Sequence, residues 1–526
     1  MTLALGSIAK RPADTGGPLD PRKPSTDLRV PAAAVGLYLL ARLRQLLWLG
    51  HPVVTADTPM YRRAGQRWLD FSAGNFLGHT LRPWPITLLY SVAPTDTCRV
   101  LAQFAIATCC WALCIWQFAR LTSNRTAAAL ASCAVAVLAL TVGVSGFDGV
   151  LLSESLTLSL VALYVAAVLS VCAGRGRLPM LLAALAAASL LAVLRPVFLP
   201  LAPGVALLAH LARTTSTRHG RRMATGTVLV LGLLSAGAVG YAWTYNVGVD
   251  RTWGGWLGVP GLNGRTLTQY YVAAYDTPSG PSLIEAMIDA GAPACLRPDP
   301  PVAPGDHPRN LLQEDRLRCP AGQAWLSGHF VAALAAHLAT HPRAAHRYFS
   351  DALGDESVLR SDGRTAVPVV IPGALDDVFF SPRPGSADPL VVWWLAGIGA
   401  VGIWCCVLPH TRPRRPVPFA RNRRGAAMAL LAGRSPLQVG TAFTLAAAGA
   451  ALVGTALLSA SDASRVALPV TVLIRLVLTV VVIRATVSVA RTERARSAAR
   501  ARASHQPALP GSPLKGPVTL EVIQPP

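Results

Sequence analysis

The sequence predicts an all-α polytopic membrane protein of about ten transmembrane helices, with one large extracytoplasmic domain of mixed or mainly helical structure. Three observations predict this class. Hydrophobic residues make up 52% of the 526-residue chain and charged residues 14%, whereas a soluble chain carries about a quarter charged residues. Apolar runs near the roughly 20 residues that a helix needs to cross a bilayer occur at 31–49, 98–119, 127–145, 150–172, 179–194, 196–212, 224–245, 389–408, 437–459 and 466–489. Arginines crowd alternate connections between these runs, which fixes which ends lie in the cytoplasm.

Taken in order, residues 1–30 are polar, Pro-rich and basic. They lack an apolar core and a small-residue cleavage site, so they read as a cytoplasmic tail and not a cleaved signal. Residues 31–245 form an N-terminal membrane domain whose first outer loop is 50–97. With the N-terminus inside, Arg120 with Arg125, Arg175 with Arg177, and the cluster from Arg213 to Arg222 all fall on the cytoplasmic side. So do the cluster from Arg412 to Arg434 and the tail arginines from Arg491 onward. Pro196 after Arg195 breaks a helix, so two short spans are expected to meet at Arg195 on the outer face. Residues 246–388 form the extracytoplasmic domain, 389–489 the C-terminal spans, and 490–526 a basic, disordered cytoplasmic tail.

Charge distribution excludes a nucleic-acid function. The net charge is +22, but residues 246–388 hold 15 acids and 11 bases, a net of −4 that leaves +26 to the rest of the chain. That surplus lies in short connections and tails, where Arg sets topology and meets anionic headgroups. Arg outnumbers Lys 45 to 3, the coding bias of a GC-rich bacterial genome. In the outer domain, Cys295 and Cys319 flank a Pro-rich stretch and are expected to close as a disulfide. A helical pattern follows from about Gly322 to Leu353. His329, His337, His341 and His346 lie near it without a zinc-protease Glu, and His341-Pro342 reads as a helix break. No metal-ligand spacing appears elsewhere, so no metal ligand is assigned.

Charged groups beside the bilayer must be solvated, paired or used. Asp57, in Thr55-Ala56-Asp57-Thr58-Pro59-Met60-Tyr61, follows the first span directly. It suits both a cap for the helix starting near Pro59 and a reactive carboxylate. An amphipathic stretch follows, with Tyr61, Ala64, Trp68 and Phe71 on one side. Glu154, in Leu152-Ser153-Glu154-Ser155-Leu156, lies about a turn inside the outer end of a span. It reads as a functional acid or as the partner of an outer Arg, while Asp148 reads as a helix cap on the loop. Arg82, Arg195 and Arg465 map to the outer face, where a guanidinium either snorkels to headgroups or grips a phosphate.

The order of these motifs resembles the C-type-fold membrane glycosyltransferases, the superfamily of protein mannosyltransferases and aminoarabinose lipid A transferases. The matching features are Asp57, Tyr61 and Arg82-Pro83-Trp84-Pro85 in the first outer loop, the Ser153-Glu154-Ser155 start of a later span, and Asp462-Ala463-Ser464-Arg465 before the last spans. Val466 stands where the family usually has Tyr, and the first loop lacks an adjacent acidic pair. The resemblance implies sugar transfer from a polyprenyl-phosphate donor to an extracytoplasmic glycan, lipid or protein at the cell membrane, and the arginine pattern places both termini in the cytoplasm. It makes Asp57 the general base, gives Glu154 a catalytic role in orienting acceptor or metal, and makes Tyr61, Arg82, Arg195 and Arg465 substrate-binding. Outer arginines or a divalent cation, Mg or Mn, could stabilise the departing phosphate. The competing expectations are a transporter or flippase of envelope lipids or glycans, and a non-catalytic assembly or sensor protein.

Overall fold

The computed structural model describes residues 28–55, 58–66, 73–79, 82–122, 124–173, 177–214, 218–256, 280–297, 320–345, 367–371, 441–449 and 468–484, together with the single residues 347, 437, 486, 487, 493 and 497. The described part is mostly helical and contains no strand, apart from one isolated bridge between Val53 and Val150.

Apolar composition sets the principal helices. The first membrane-length helix, α1, spans Arg29–Leu47. The first loop carries α2 (Thr58–Gln66), the single turn α3 (Ala73–Phe76) and α4 (Trp84–Val92). Helix α5 (Asp96–Ala119) starts where the Thr95 hydroxyl accepts the Cys98 amide, a side-chain cap for an orphan N–H. Asn124 caps α6 (Arg125–Leu140) in the same way through the Ala127 amide. At Thr141 the chain turns by 54° into α7 (Val142–Ser145) and a 3₁₀ turn, Gly146–Gly149. Helices α8 (Glu154–Cys172), α9 (Arg177–Leu194), α10 (Leu201–Thr214) and α11 (Arg218–Trp256) follow.

Among the described residues, four helices are long and apolar enough to cross a membrane: α1, α5, α8 and the Gly226–Thr252 stretch of α11; the bent α6–α7 pair makes a fifth if it is one span. The expected break at Arg195 is present. Its backbone is extended (φ −147°, ψ 106°), and a 3₁₀ turn, Pro196–Phe198, leads towards α10. The expected span 389–408 lies outside the described residues. Helical stretches at 441–449 and 468–484 fall within the last two expected spans.

Position in the bundle explains the helix compositions. The apolar window of α8 is 83% buried against neighbours, chiefly α5 and α9, whereas that of α11 is 17% buried. Small residues such as Ala162, Ala166 and Ala167 let α8 be approached closely. Its hydroxyls bond back into the helix, Thr157 to the Ser153 carbonyl and Ser159 to that of Ser155. Helices α1 and α11 instead expose Leu40, Leu47, Leu233 and Trp243. An apolar surface of that extent suits lipid and not water.

Helix α11 continues without a break through 246, the sequence boundary of the outer domain. Its 39 residues give a rod of about 58 Å, longer than the hydrocarbon core of roughly 30 Å. Its far end carries the first loop. Gly78 takes a left-handed backbone (φ +83°), and a Cβ on Gly248 would sit 2.1 Å from the Leu77 carbonyl oxygen, so both positions require glycine. Around this crossing, Thr252 donates to the Gly78 carbonyl (3.1 Å), Tyr241 to that of Phe76 (3.0 Å), and the Trp84 amide to the Tyr245 hydroxyl (3.0 Å).

In the 246–388 region, α12 (Gly280–Asp289) ends in a glycine turn at Gly291 (φ +101°). Arg297 grips Glu285 with both fork nitrogens at 2.6 and 2.8 Å, which holds that exposed carboxyl below its usual range. Cys295 is in a disulfide; its expected partner, Cys319, lies outside the described residues. Helix α13 (Pro320–Thr340) ends just before His341-Pro342, short of the expected Leu353. A residue preceding proline disfavours helical backbone, and a short helical turn at 342–345 follows. The His337 and His341 rings stack 4.4 Å apart. Burial, and then the field of His341, lower the His337 imidazole below its ordinary value. His346 lies outside the described residues.

Candidate functional site

The C-terminal end of α1, the helices of the first loop, the N-terminus of α8 and the C-terminus of α9 meet at one end of the bundle. Residues 150–153, which precede α8, are the backbone frame of this site. The Val53 amide donates to the Gly149 carbonyl (2.9 Å) and the Leu151 amide to that of Val53 (3.2 Å), clasping the chain after α1 to the chain before α8. Fully buried Thr58 adds a third tie, donating to the Leu151 carbonyl (3.3 Å) while accepting the Thr55 amide (2.9 Å). Asp57 lies outside the described residues, one peptide bond from this anchored threonine.

Side chains then converge on Ser153. Tyr61, 3% exposed, donates its hydroxyl to Ser153 Oγ at 3.1 Å. The Arg82 guanidinium lies over the Tyr61 ring, 4.7 Å from its centroid, a cation–π arrangement strengthened by desolvation. Glu154, 1% exposed, accepts from Arg195 Nη2 at 2.7 Å. Ser153 Oγ is 3.4 Å from both Glu154 Oε2 and Arg195 Nη2. Arg195 Nε is buried with no hydrogen-bond acceptor. The helix break at Arg195 delivers this side chain: its amide closes the last turn on Leu191 (2.7 Å) and the backbone then becomes extended.

Tyr90 backs the cluster, with its ring centroid 6.1 Å from that of Tyr61. Its hydroxyl donates to Gln103 Oε1 (2.7 Å), and Gln103 Nε2 donates to the Val150 carbonyl (2.9 Å). Burial, and then the neighbouring Tyr61 and Glu154, push the Tyr90 phenol well above its ordinary value, so it remains a hydrogen-bond donor.

A second ionic group lies beside the first. Arg42 Nη2 contacts Asp148 Oδ2 at 2.6 Å, with side chains 2% and 5% exposed. Arg42 also donates to Gln45 Oε1 (2.8 Å) and Thr108 Oγ1 (3.1 Å), and its guanidinium lies 3.8 Å from the centroid of the Phe104 ring. Ser155 donates to Asp148 Oδ1 at 2.6 Å. Gln45 reaches Ser145 Oγ and the Pro368 carbonyl, both at 3.2 Å, seating the 367–371 stretch on the helical core. Asp148 is therefore no loop cap; it sits inside the 3₁₀ turn, and Ser153 occupies the N-cap position of α8. A third pairing, of Asp96 with Arg62 and Arg99, links α2 to the start of α5.

Of the residues singled out from sequence, the structure brings together Tyr61, Arg82, Glu154 and Arg195; Arg465 and Asp57 fall outside the described residues. Sequence reading gave no role to Arg42, Tyr90 or Gln103. Arg42 carried a readable signal, since it is a charge inside a membrane-length apolar run. Tyr90 and Gln103 had none, as their roles rest on contacts between separate helices. Among the described residues, no group of three or more His, Cys, Asp or Glu side chains could hold a metal ion. What does gather is two guanidinium groups around a carboxylate and the hydroxyls of Ser153 and Tyr61. Compared with models of protein families, with curated proteins and with solved structures, the chain has no match.

Proposed function

We propose that the protein is a membrane glycosyltransferase that moves a sugar from a polyprenyl-phosphate donor to an extracytoplasmic acceptor. The observation that carries this reading is the convergence of Tyr61, Glu154 and Arg195 on Ser153 at the end of the bundle, with Arg82 lying over the Tyr61 ring. Those residues come from the first loop, the start of α8 and the break after α9. Arg120 and Arg125, at the α5–α6 connection, lie at the opposite end of α5 from this site; with the arginines that crowd the other alternate connections in the sequence, the positive-inside rule supports an outward-facing site and cytoplasmic termini. In this reading the chain resides in a bacterial cell membrane with about ten spans, and residues 246–388 form an outer domain that contributes to acceptor choice.

Arg82 and Arg195 bind the donor phosphate and stabilise the charge that grows on it as the glycosidic bond to phosphate breaks. Asp57, beside the anchored Thr58, removes the proton from the acceptor hydroxyl as its oxygen attacks the anomeric carbon in a single inverting displacement. The test is transfer from a radiolabelled polyprenyl-phosphate sugar in membranes, comparing the native chain with Asp57→Asn at equal protein level. A loss of about 10²-fold or more is expected. Equal transfer by the two chains would remove Asp57 from the mechanism. Absence of transfer from any donor tried would favour transport of envelope lipids or glycans.

A further inference from the structure

The Glu154–Arg195 pair has features that a purely structural pair would not need. Both partners sit at breaks in helical structure, Glu154 at the first residue of α8 and Arg195 on extended backbone after α9. Glu154 is buried and Arg195 largely so, with side chains 1% and 14% exposed. Arg195 nevertheless holds Glu154 through Nη2 and leaves a buried Nε–H with no acceptor. An unsatisfied buried donor is unfavourable unless something else occupies it. A guanidinium presents its Nε and Nη donors as a fork, which matches the paired oxygens of a phosphate.

Resting on the reading of this site as a phosphate-lipid glycosyltransferase, we propose that the Glu154 carboxylate is a place-holder. Until a donor binds it neutralises Arg195, and an incoming phosphate group takes Arg195 from it. The exchange is local, because Ser153 Oγ already lies 3.4 Å from both the Glu154 carboxylate and Arg195 Nη2. As the phosphate takes the Arg195 fork, the Ser153 hydroxyl is in place to remain on Glu154. Glu154 thus competes with the donor for the same cation, and occupancy of the donor site releases the carboxylate toward the acceptor. The rival account makes the pair a fixed strut between α8 and the α9 break, helped by the favourable placement of an acid in a first helical turn.

The two accounts differ in the sign of one effect. A competitor that is removed strengthens binding, whereas a strut that is removed weakens the fold and strengthens nothing. The experiment uses the full-length purified protein in detergent and measures binding and the ligand-induced shift in melting temperature for farnesyl phosphate, farnesol and inorganic phosphate. Native protein, Glu154→Gln and Arg195→Gln are compared. The expected result is about tenfold tighter farnesyl phosphate binding by Glu154→Gln, with a larger ligand-induced stabilisation than in native protein even if the variant alone melts lower. Arg195→Gln should bind none, and farnesol should bind none of the three.

Unchanged or weaker binding by Glu154→Gln, with the native chain still binding, overturns the place-holder role and leaves the glycosyltransferase reading standing. Inorganic phosphate binding as tightly as farnesyl phosphate, with the same gain in Glu154→Gln, supports the exchange but removes the lipid donor. No binding by native protein or by Glu154→Gln overturns both.

Discussion

Arg42 with Asp148 and Arg195 with Glu154 bury the same two chemical groups within one end of the bundle, with the carboxylates only six residues apart. Their surroundings differ. The Arg42 guanidinium meets a carboxylate, an amide oxygen, a threonine hydroxyl and an aromatic face, and Asp148 also receives the Ser155 hydroxyl. Arg195 meets Glu154 and, at longer range, Ser153, and keeps a buried N–H without an acceptor. Desolvating an ion pair costs about as much as the attraction returns unless hydrogen bonds complete it. The completed pair therefore belongs to the architecture, tying α1 to the turn before α8, and the pair that leaves Arg195 Nε without an acceptor to the proposed site.

The largest effect on stability should follow from breaking the completed pair. Asp148→Asn leaves the Arg42 charge buried and uncompensated, and we expect a loss of roughly 3–5 kcal/mol. Thermal unfolding of the purified protein would measure it, together with a fall in folded yield. Ligand should not rescue this variant beyond the native shift, in contrast to Glu154→Gln. A small destabilisation would place the two pairs in one class and dissolve the distinction.

A smaller effect tests how the first loop is held against the far end of α11. Gly248→Ala puts a methyl against the Leu77 carbonyl at 2.1 Å, and such overpacking costs about 1–3 kcal/mol. Trypsin cleavage after Arg62 or Arg63 should accelerate, because the loop is pushed from its seat. Gly226→Ala on the same helix meets nothing within 4 Å and should leave cleavage unchanged. Equal sensitivity in the two variants would mean that the crossing does not hold the loop.

The sequence and the structure agree where physics is local. Apolar length marked α1, α5 and α8, and Arg195-Pro196 marked the helix break, since a proline ring clash is a property of neighbouring residues. The Glu154–Arg195 pairing was legible as one alternative because an acid inside a span end needs a partner. Asp148 was misread because an Asp before a helix has the local pattern of a cap, while Arg42, the partner that determines its role, lies 106 residues away. Helix α11 outlasts its apolar run, 224–245, for a related reason. Asp250 and Arg251 end an apolar run without ending a helix, and Asn246 holds the extension to α9 through the Ala192 carbonyl (3.1 Å).

In the function proposed above, this end of the bundle binds the phosphate of a lipid-linked sugar through Arg195 and transfers the sugar. The most direct measurement is the single-turnover rate of sugar transfer from a labelled polyprenyl-phosphate donor, comparing native protein with Arg195→Gln at matched amounts of folded protein. We expect transfer by the native chain and a loss of about 10²–10³-fold in the variant, the scale for removing one donor to a developing anion. Equal rates in the two proteins would contradict the account.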